Sequence, residues 1–398
     1  MWRQSWLCET GSLLGLGLRN VLARPLLPVI MTVGFLAVVL VVVSVLSIGR
    51  GLNRTYASTG EPDVAIAISE GSLVESQSGL SDSEVRALAS QPGVARGAAG
   101  PLLSPELVDT VELPKRRSGV VSDVALRGVT PAGYQLHPTV HLTAGRMYRS
   151  GVREVIVGRQ AVGEYRGLGV GATLHAGGVR WLVTGIFAAD GDIHESEIWT
   201  DLPVLQDALR QPDSYSSVYL KMSSPASYTA FAAAAARDPR LAVQVQTETS
   251  FYADIASGVT DSFLGVASAI AILMAVGAVV GAINLMYVSL AARRRDIATL
   301  RAVGFRRLSV LSAVLCEGLI LGLVGGVIGG AIAYLVFDGH QAGTIFGDGH
   351  TQVDFQFSVT AALLGGGIVF ALLMGLIGGL LPAIRAARLP VARALRDS

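Results

Sequence analysis

Four long apolar stretches constrain this chain more than anything else in it. They run over residues 26–50, 262–290, 309–337 and 358–381. Each reaches the roughly 20 residues that a helix needs to cross a bilayer. Backbone groups in hydrocarbon have no water to bond, so such stretches predict transmembrane α-helices. The middle two exceed the span requirement, which predicts tilt or projection beyond the membrane. Composition agrees: the chain is 51% hydrophobic and 15% charged, where soluble domains carry about 25% charged residues. A net charge of +1 gives no general attraction for nucleic acid, so any charge signal is local. The first stretch begins late, is longer than the roughly 7–15 residues of a signal-peptide core, and lacks an A-x-A site after it, so it reads as an uncleaved anchor.

Arginine placement sets the expected orientation, because Lys and Arg in short loops stay on the cytoplasmic side. Arg3, Arg19 and Arg24 precede the first stretch, Arg293, Arg294, Arg295, Arg301, Arg306 and Arg307 lie between the second and third, and Arg385, Arg388, Arg393 and Arg396 lie at the C-terminal end. The loop between the third and fourth, residues 338–357, has neither Lys nor Arg. The expected fold class is therefore a membrane protein with four transmembrane α-helices and a large extracytoplasmic α+β domain between helices one and two. Its expected divisions are a cytoplasmic amphipathic segment (1–25), the first span (26–50), the external domain (51–261), the second span (262–290), a cytoplasmic loop (291–308), the third span (309–337), an external loop (338–357), the fourth span (358–381) and a cytoplasmic tail (382–398). The bacterial inner membrane is the expected location.

The external segment is long enough for its own core. Residues 63–69 (DVAIAIS) alternate like a half-buried strand. Ser81 to Glu84 reads as a capping box opening a helix that ends at Ser90. Residues 154–157 read as a strand, and residues 172–187 as a hairpin turning at Gly177-Gly178. Residues 201–210 and 225–237 fit helices; residues 218–222 and 241–247 fit strands.

Motifs for chemistry are sparse. Asp190-Gly191-Asp192-Ile193-His194-Glu195 resembles half of a calcium loop, but Glu195 stands at the required glycine and Asp201 at the bidentate glutamate, so a polar exposed turn is expected. His137 and His141 flank Pro138 and lack helical ligand spacing. The polar loop with Asp338, His340, Asp348, His350 and Asp354 reads as a solvated turn. Cys8 and Cys316 do not suggest a disulfide. No catalytic or metal-binding residue is assigned, and no P-loop appears.

Inside the spans, Gly318, Gly322, Gly326 and Gly330 recur every fourth residue, with Gly325 and Gly329 as a second row. Gly277/Gly281 and Gly375/Gly379 repeat the spacing. Such rows let helix backbones approach closely, within a subunit or between subunits. Glu317 is an intramembrane carboxylate, expected to pair with an arginine such as Arg306 or Arg307. Asn284 is expected to form a helix–helix hydrogen bond.

Residues 292–308 (ARRRDIATLRAVGFRRL) set Ile297, Leu300 and Val303 on one helical face, with Arg294, Asp296 and Arg301 on others. A short amphipathic helix of this kind can dock in a partner's groove. The stretch resembles the signature of FtsX-like, MacB-type ABC permeases: Arg293, Arg295, Asp296, Ile297, Leu300, Arg301, Ala302 and Gly304, followed by Phe305. Asp296 stands where a Glu is more usual. The resemblance extends to Leu18-Arg19-Asn20 with Arg24, to Glu317-Gly318, and to a C-terminal Pro382-Ala383, Ala386-Ala387, Pro390 and Ala394-Leu395-Arg396 pattern. It implies a permease without its own ATPase, two copies or paralogues working with two ABC ATPase subunits that hold the ATP and Mg, and residues 292–305 as the coupling element. It also implies membrane lipid as surroundings and, in exporters, a membrane-fusion adaptor. Two functions fit: export or extraction of a hydrophobic or lipid-linked molecule, peptide or drug, or transmission of force to an extracytoplasmic enzyme.

Overall fold

The computed structural model describes residues 26–57, 59–98, 100–346 and 351–388. The helices are α1 (Leu26–Ala57), α2 (Asp82–Ala89), α3 (Gly133–Leu136), α4 (Arg159–Glu164), α5 (Leu202–Leu209), α6 (Ser227–Ala235), α7 (Glu248–Ala292), α8 (Arg294–Ala302), α9 (Arg307–Phe337) and α10 (Ala361–Ala387). The principal strands are β1 (Val64–Ser69), β2 (Leu103–Pro114), β3 (Val121–Val129), β4 (His141–Gly145), β5 (Glu154–Gly158), β6 (Thr173–Ala176), β7 (Val179–Ala188), β8 (Ile198–Asp201), β9 (Ser217–Lys221), β10 (Val243–Thr247), β11 (Gln341–Phe346) and β12 (Thr351–Gln356). Contacts separate two units: Met1–Arg50, Ser262–His340 and Phe357–Ser398 form one, and Gly51–Asp261 with Gln341–Gln356 form the other.

In the first unit, four helical stretches are long and apolar enough to cross a membrane: Leu26–Tyr56, Leu264–Ala292, Arg307–Phe337 and Ala361–Ala387. The glycine rows decide how they pack. A Cβ on Gly318 would stand 2.6 Å from the Gly375 carbonyl oxygen, and one on Gly322 2.6 Å from that of Ala371. Gly326 sits against Ala371 and Ile368, and Gly330 against Leu364. This row therefore runs antiparallel along α10. The second row faces a different neighbour: Gly325 meets Thr32 and Phe35, and Gly329 meets Leu36 and Val39, so α9 lies parallel to α1. Any side chain at these positions would force the helices apart. Helix α7 is the least covered, with 6% of its most apolar window buried against 44% for α10. Gly277 and Gly281 face open space, with nothing within 4 Å of where a Cβ would stand.

The second unit is built on a mixed sheet in the order β10-β1-β9-β2-β3-β8-β5-β7-β4, with β6 paired to β7. Among the described strands, β3/β8 and β5/β7 are the parallel pairs. Strand β1 is buried on both faces from Val64 to Ile68 rather than half-buried, with Ala65 and Ala67 in one main core with Leu88, Leu126, Val155, Trp181, Leu205 and Phe231. Helix α2 opens on the expected box: Ser81 Oγ accepts from the Glu84 N–H, and Glu84 Oε2 accepts from the Ser81 N–H. The β6/β7 hairpin turns at Gly177 and Gly178, whose φ values of +57° and +73° suit glycine. Two long strands, β2 and β3, escape the sequence reading. The external loop is another departure from a simple turn: β11 and β12 pair as an antiparallel hairpin.

A further expectation is overturned in part. In the Asp190–Glu195 segment Asp190 is exposed as expected, but the stretch from Asp192 on is buried: Asp192 is 3% exposed, and His194 and Glu195 1% each. Its polar groups are drawn inward because partners await them. Glu195 Oε1 accepts from the Ala189 and Gly191 N–H groups and pairs with Arg159, and Asp192 Oδ1 accepts from the His194 N–H.

Candidate functional site

Two regions carry charge that the fold does not need for solubility. The first is the turn between α7 and α9, occupied by α8. Arg293 stands at its N-terminal end and reaches back to α9, with Nη2 2.8 Å from Glu317 Oε1, Nη1 3.3 Å from Glu317 Oε2, and Nη2 also 2.6 Å from Ser289 Oγ. Glu317 thus pairs with Arg293 rather than with Arg306 or Arg307. The reason is geometric: Arg293 ends α7 beside the α9 turn that carries Glu317. Ile297 and Ala298 are buried, Leu300, Arg301 and Phe305 half-buried, and Arg295, Asp296 and Ala302 exposed. Val303, at the C-cap, is 76% exposed, so the apolar side of this helix runs from the bundle into the open; Leu308, in the first turn of α9, is 65% exposed. Gly304 closes the turn at φ +115°, a conformation open to glycine at little cost. Asn284 does not bond another helix among the described residues; it lies on the exposed face of α7. The Leu18–Arg24 and Pro390–Arg396 motifs lie outside the described residues, as do Cys8, Asp348 and His350.

The second region lies in the centre of the external unit. Arg127, on β3, is 1% exposed. Its five N–H groups are all used: Nε and Nη2 bond Glu197 at 2.8 and 2.9 Å, Nη1 and Nη2 bond Glu75 at 3.0 and 2.9 Å, and Nη1 bonds Glu106 at 3.0 Å. That is the full donor capacity of a guanidinium. Each carboxylate is held again. Glu75 accepts from Ser217 and from the Tyr219 hydroxyl; Glu197 accepts from Trp199 Nε1 at 2.7 Å; Glu106 Oε1 lies 3.2 Å from His137 Nε2. Burial pushes the carboxyl groups of Glu75 and Glu197 up, but the Arg127 charge outweighs it and holds both below the usual range. Glu106 is likewise held low against its burial, by His137 and then Arg127.

Helix α7 begins against this cluster. Glu248 Oε2 accepts the Glu61 N–H at 2.8 Å, and Glu248 Oε1 is 3.8 Å from His137 Nδ1. One turn on, the Tyr252 hydroxyl lies 2.8 Å from that of Tyr219. The tyrosine pair thus links α7 through Glu75 to Arg127. Sequence reading missed all of this. The available signal was an arginine in the apolar second half of β3, but its partners lie 21 to 70 residues away. Among the described residues no group of three or more His, Cys, Asp or Glu is arranged for a metal ion. The cluster offers no open cleft with a nucleophile beside a base. What it can do is hold.

An apolar four-helix unit, a charged cytoplasmic-type turn, and an α+β domain inserted after the first helix together define an ABC permease of the type with a large external domain. The chain belongs to the MacB/FtsX-like family: residues 29–238 match the MacB-like periplasmic core domain, and residues 268–391 the FtsX-like permease C-terminal domain. Members work with an ABC ATPase. The macrolide export ATP-binding/permease protein MacB of Shewanella oneidensis is 34% identical over 128 residues, 32% of this chain and 18% of that protein. MacB of Nitrobacter winogradskyi is 34% identical over 125 residues, 31% and 18% of the two chains. The match therefore spans about a fifth of these relatives' length. Among solved structures, the extracellular domain of the noncanonic ABC-type transporter YknZ from Gram-positive bacteria is similar at 18% identity and TM-score 0.35, over 46% of this chain and all of that one. The periplasmic region of MacB from Actinobacillus actinomycetemcomitans is similar at 11% identity and TM-score 0.35, over 47% of this chain and 90% of that one.

Proposed function

We propose that this chain is the permease half of an export complex, in which a separate ABC ATPase grips α8 and its motion is passed through α7 to the external domain. The observation that carries this reading is α8 itself. It stands between two membrane-length helices, is tied to α9 through Arg293 and Glu317, and is capped at its C-terminal end by the exposed Val303. An exposed apolar tip on a short helix is the kind of surface that docks in a groove. Helix α7 is unbroken from Glu248 to Ala292, so displacement at its α8 end is carried along one element. ATP and Mg belong to the partner ATPase, and a second permease copy or paralogue completes the membrane part. The relatives named above export macrolides; hydrophobic drugs, peptides or lipid-linked molecules are the matching cargo class here, with an adaptor protein receiving them.

The test is purification of the tagged chain in mild detergent, with mass spectrometry of what accompanies it and an ATPase assay of the eluate. The reading expects a Walker-A protein whose hydrolysis is stimulated by the wild-type chain and not by Leu300→Asp, with both chains equally inserted in the membrane. Equal stimulation by Leu300→Asp would remove α8 from the coupling role.

A further inference from the structure

A small cavity of about 20 Å³ lies at the start of α7, a volume that admits one water. His137, Thr139, Asp192, His194 and Glu248 line it, with Gly60 and Glu61 at its side. His194 is 1% exposed, yet neither ring nitrogen has an aligned hydrogen-bond partner. Nδ1 stands 3.3 Å from Asp192 Oδ2 without hydrogen-bond alignment. Aromatic rings surround the imidazole: Trp199 at 5.5 Å edge-on, His137 at 4.8 Å, and Tyr252 at 6.3 Å edge-on. A buried imidazole with Nε2 unpartnered and Nδ1 beside a carboxylate, on a polar cavity, is poised to take up a proton.

We propose that this cavity is a hydrated proton-binding site, and that its proton fastens the first turn of α7 to the turn Ile193–Ser196. Every element that faces the site adds to its charge balance. Asp192 and His194 come from the turn itself, Glu197 from the approach to β8, and Glu106 from β2. Arg127 comes from β3, His137 from the end of α3, Glu61 from the approach to β1, and Glu248 and Tyr252 from α7. Arg127 is consumed by Glu75, Glu106 and Glu197. His137 is shared between Glu106 and Glu248. The proton on His194 is therefore the positive charge left to offset Asp192 and Glu248 across the cavity. Without it, the buried Asp192 and Glu248 side chains, both lining the cavity, lose the positive charge beside them in a poorly screened interior. Burial favours the neutral imidazole, but Asp192 and then Glu197 outweigh it and push His194 up to about 9. Burial also raises the Glu248 carboxyl. The imidazole therefore holds its proton at low and neutral pH and loses it on the alkaline side. The N-terminal turn of α7 is then released.

Trp199 supplies the readout, because a protonated imidazole against an indole quenches its fluorescence. The experiment uses the full chain in detergent micelles, with Trp2→Phe and Trp6→Phe, titrated from about pH 6 to about pH 10. Hydrogen exchange of the Thr249–Ala256 segment is followed relative to β5 at each pH. Expected is a fluorescence transition near pH 9, absent in His194→Gln. Protection of Thr249–Ala256 should fall roughly tenfold through the same transition. Glu248→Gln removes one of the two carboxylates lining the cavity and should keep the segment protected to higher pH, which covers the case of a poorly folding His194→Gln. The inference is overturned if the transition persists in His194→Gln, if fluorescence changes while protection does not, or if Glu248→Gln releases the segment as the wild type does.

Discussion

Replacing Arg127 by methionine keeps most of the side chain's aliphatic volume and deletes its charge. Glu75, Glu106 and Glu197 would then sit 8%, 0% and 6% exposed with His137 and neutral donors only. Removing one partner of a buried ion pair costs about 3–5 kcal/mol. An independent route gives the same scale. A carboxylate forced to take a proton at pH 7, from an unfolded value of about 4.3, costs about 4 kcal/mol at 1.36 kcal/mol per pH unit. At least one of the three must do so, which predicts a loss of about 4 kcal/mol at pH 7, against a typical domain stability of about 5–15 kcal/mol. The pH dependence gives the sharper test. In the wild type the three carboxyl groups are held below their unfolded values. Their contribution is present above the unfolded range and is lost as pH falls through the folded values. In the variant the sign reverses for Glu75 and Glu197, which lose the charge that held them low against their burial, so the penalty grows with pH and about 3 kcal/mol of it is recovered on going from pH 7 to pH 5. The assay is urea unfolding of the full chain in detergent, read by Trp181 and Trp199 in a Trp2→Phe/Trp6→Phe background. A loss below about 1 kcal/mol at pH 7, or a deficit as large at pH 5 as at pH 7, would show that the guanidinium does not hold the cluster.

Three further outcomes follow from contacts already described. Gly322→Leu drives a side chain into the Ala371 carbonyl and should lower the thermal midpoint of the membrane unit by several degrees, whereas Gly277→Leu, with open space beside it, should leave it unchanged. Glu317→Leu should lower stability by about 1–3 kcal/mol because it strands Arg293, and Glu317→Gln by less, measured by thermal shift in micelles; equal losses would mean that the charge is irrelevant. Gly158→Ala places a methyl against the Glu195 backbone carbonyl, so it should unfold the buried turn and expose Arg159 and Glu195 to rapid hydrogen exchange, while Gly163→Ala, with nothing nearby, should not.

What could be read from the sequence was what local physics decides. The strand at Val64–Ser69, the Ser81/Glu84 box and the Gly177-Gly178 turn each need only neighbours a few residues away, and each forms; that both faces of the strand are buried depends on the rest of the sheet. The spacing of glycines in α9 announced close packing, but which helix each row would meet depends on the bundle, and the two rows meet two different ones. Strands β2 and β3 were missed because Pro105, Glu106, Asp123 and Arg127 interrupt their apolar pattern. Glu106 and Arg127 belong to buried pairings that exist only after the sheet has formed. The same blindness made Asp190–Glu195 read as surface. At the cytoplasmic-type turn, Arg293 and Glu317 were both noticed, yet their pairing spans 24 residues and appears only when α7 and α9 are set side by side.

The glycine contacts of α9 have a consequence for motion. Where two helices meet through leucines and phenylalanines, any shift forces side chains to hop between discrete rotamers, and the joint moves in steps. Along α9 the contact with α10 is largely main chain against main chain, from Gly318 beside Gly375 to Gly322 beside Ala371. The contact with α1 is main chain on the α9 side. Such surfaces have few torsions to reset. They behave as bearing faces, on which a helix can slide or roll by small amounts while remaining in contact, and α9 carries one on each of two sides.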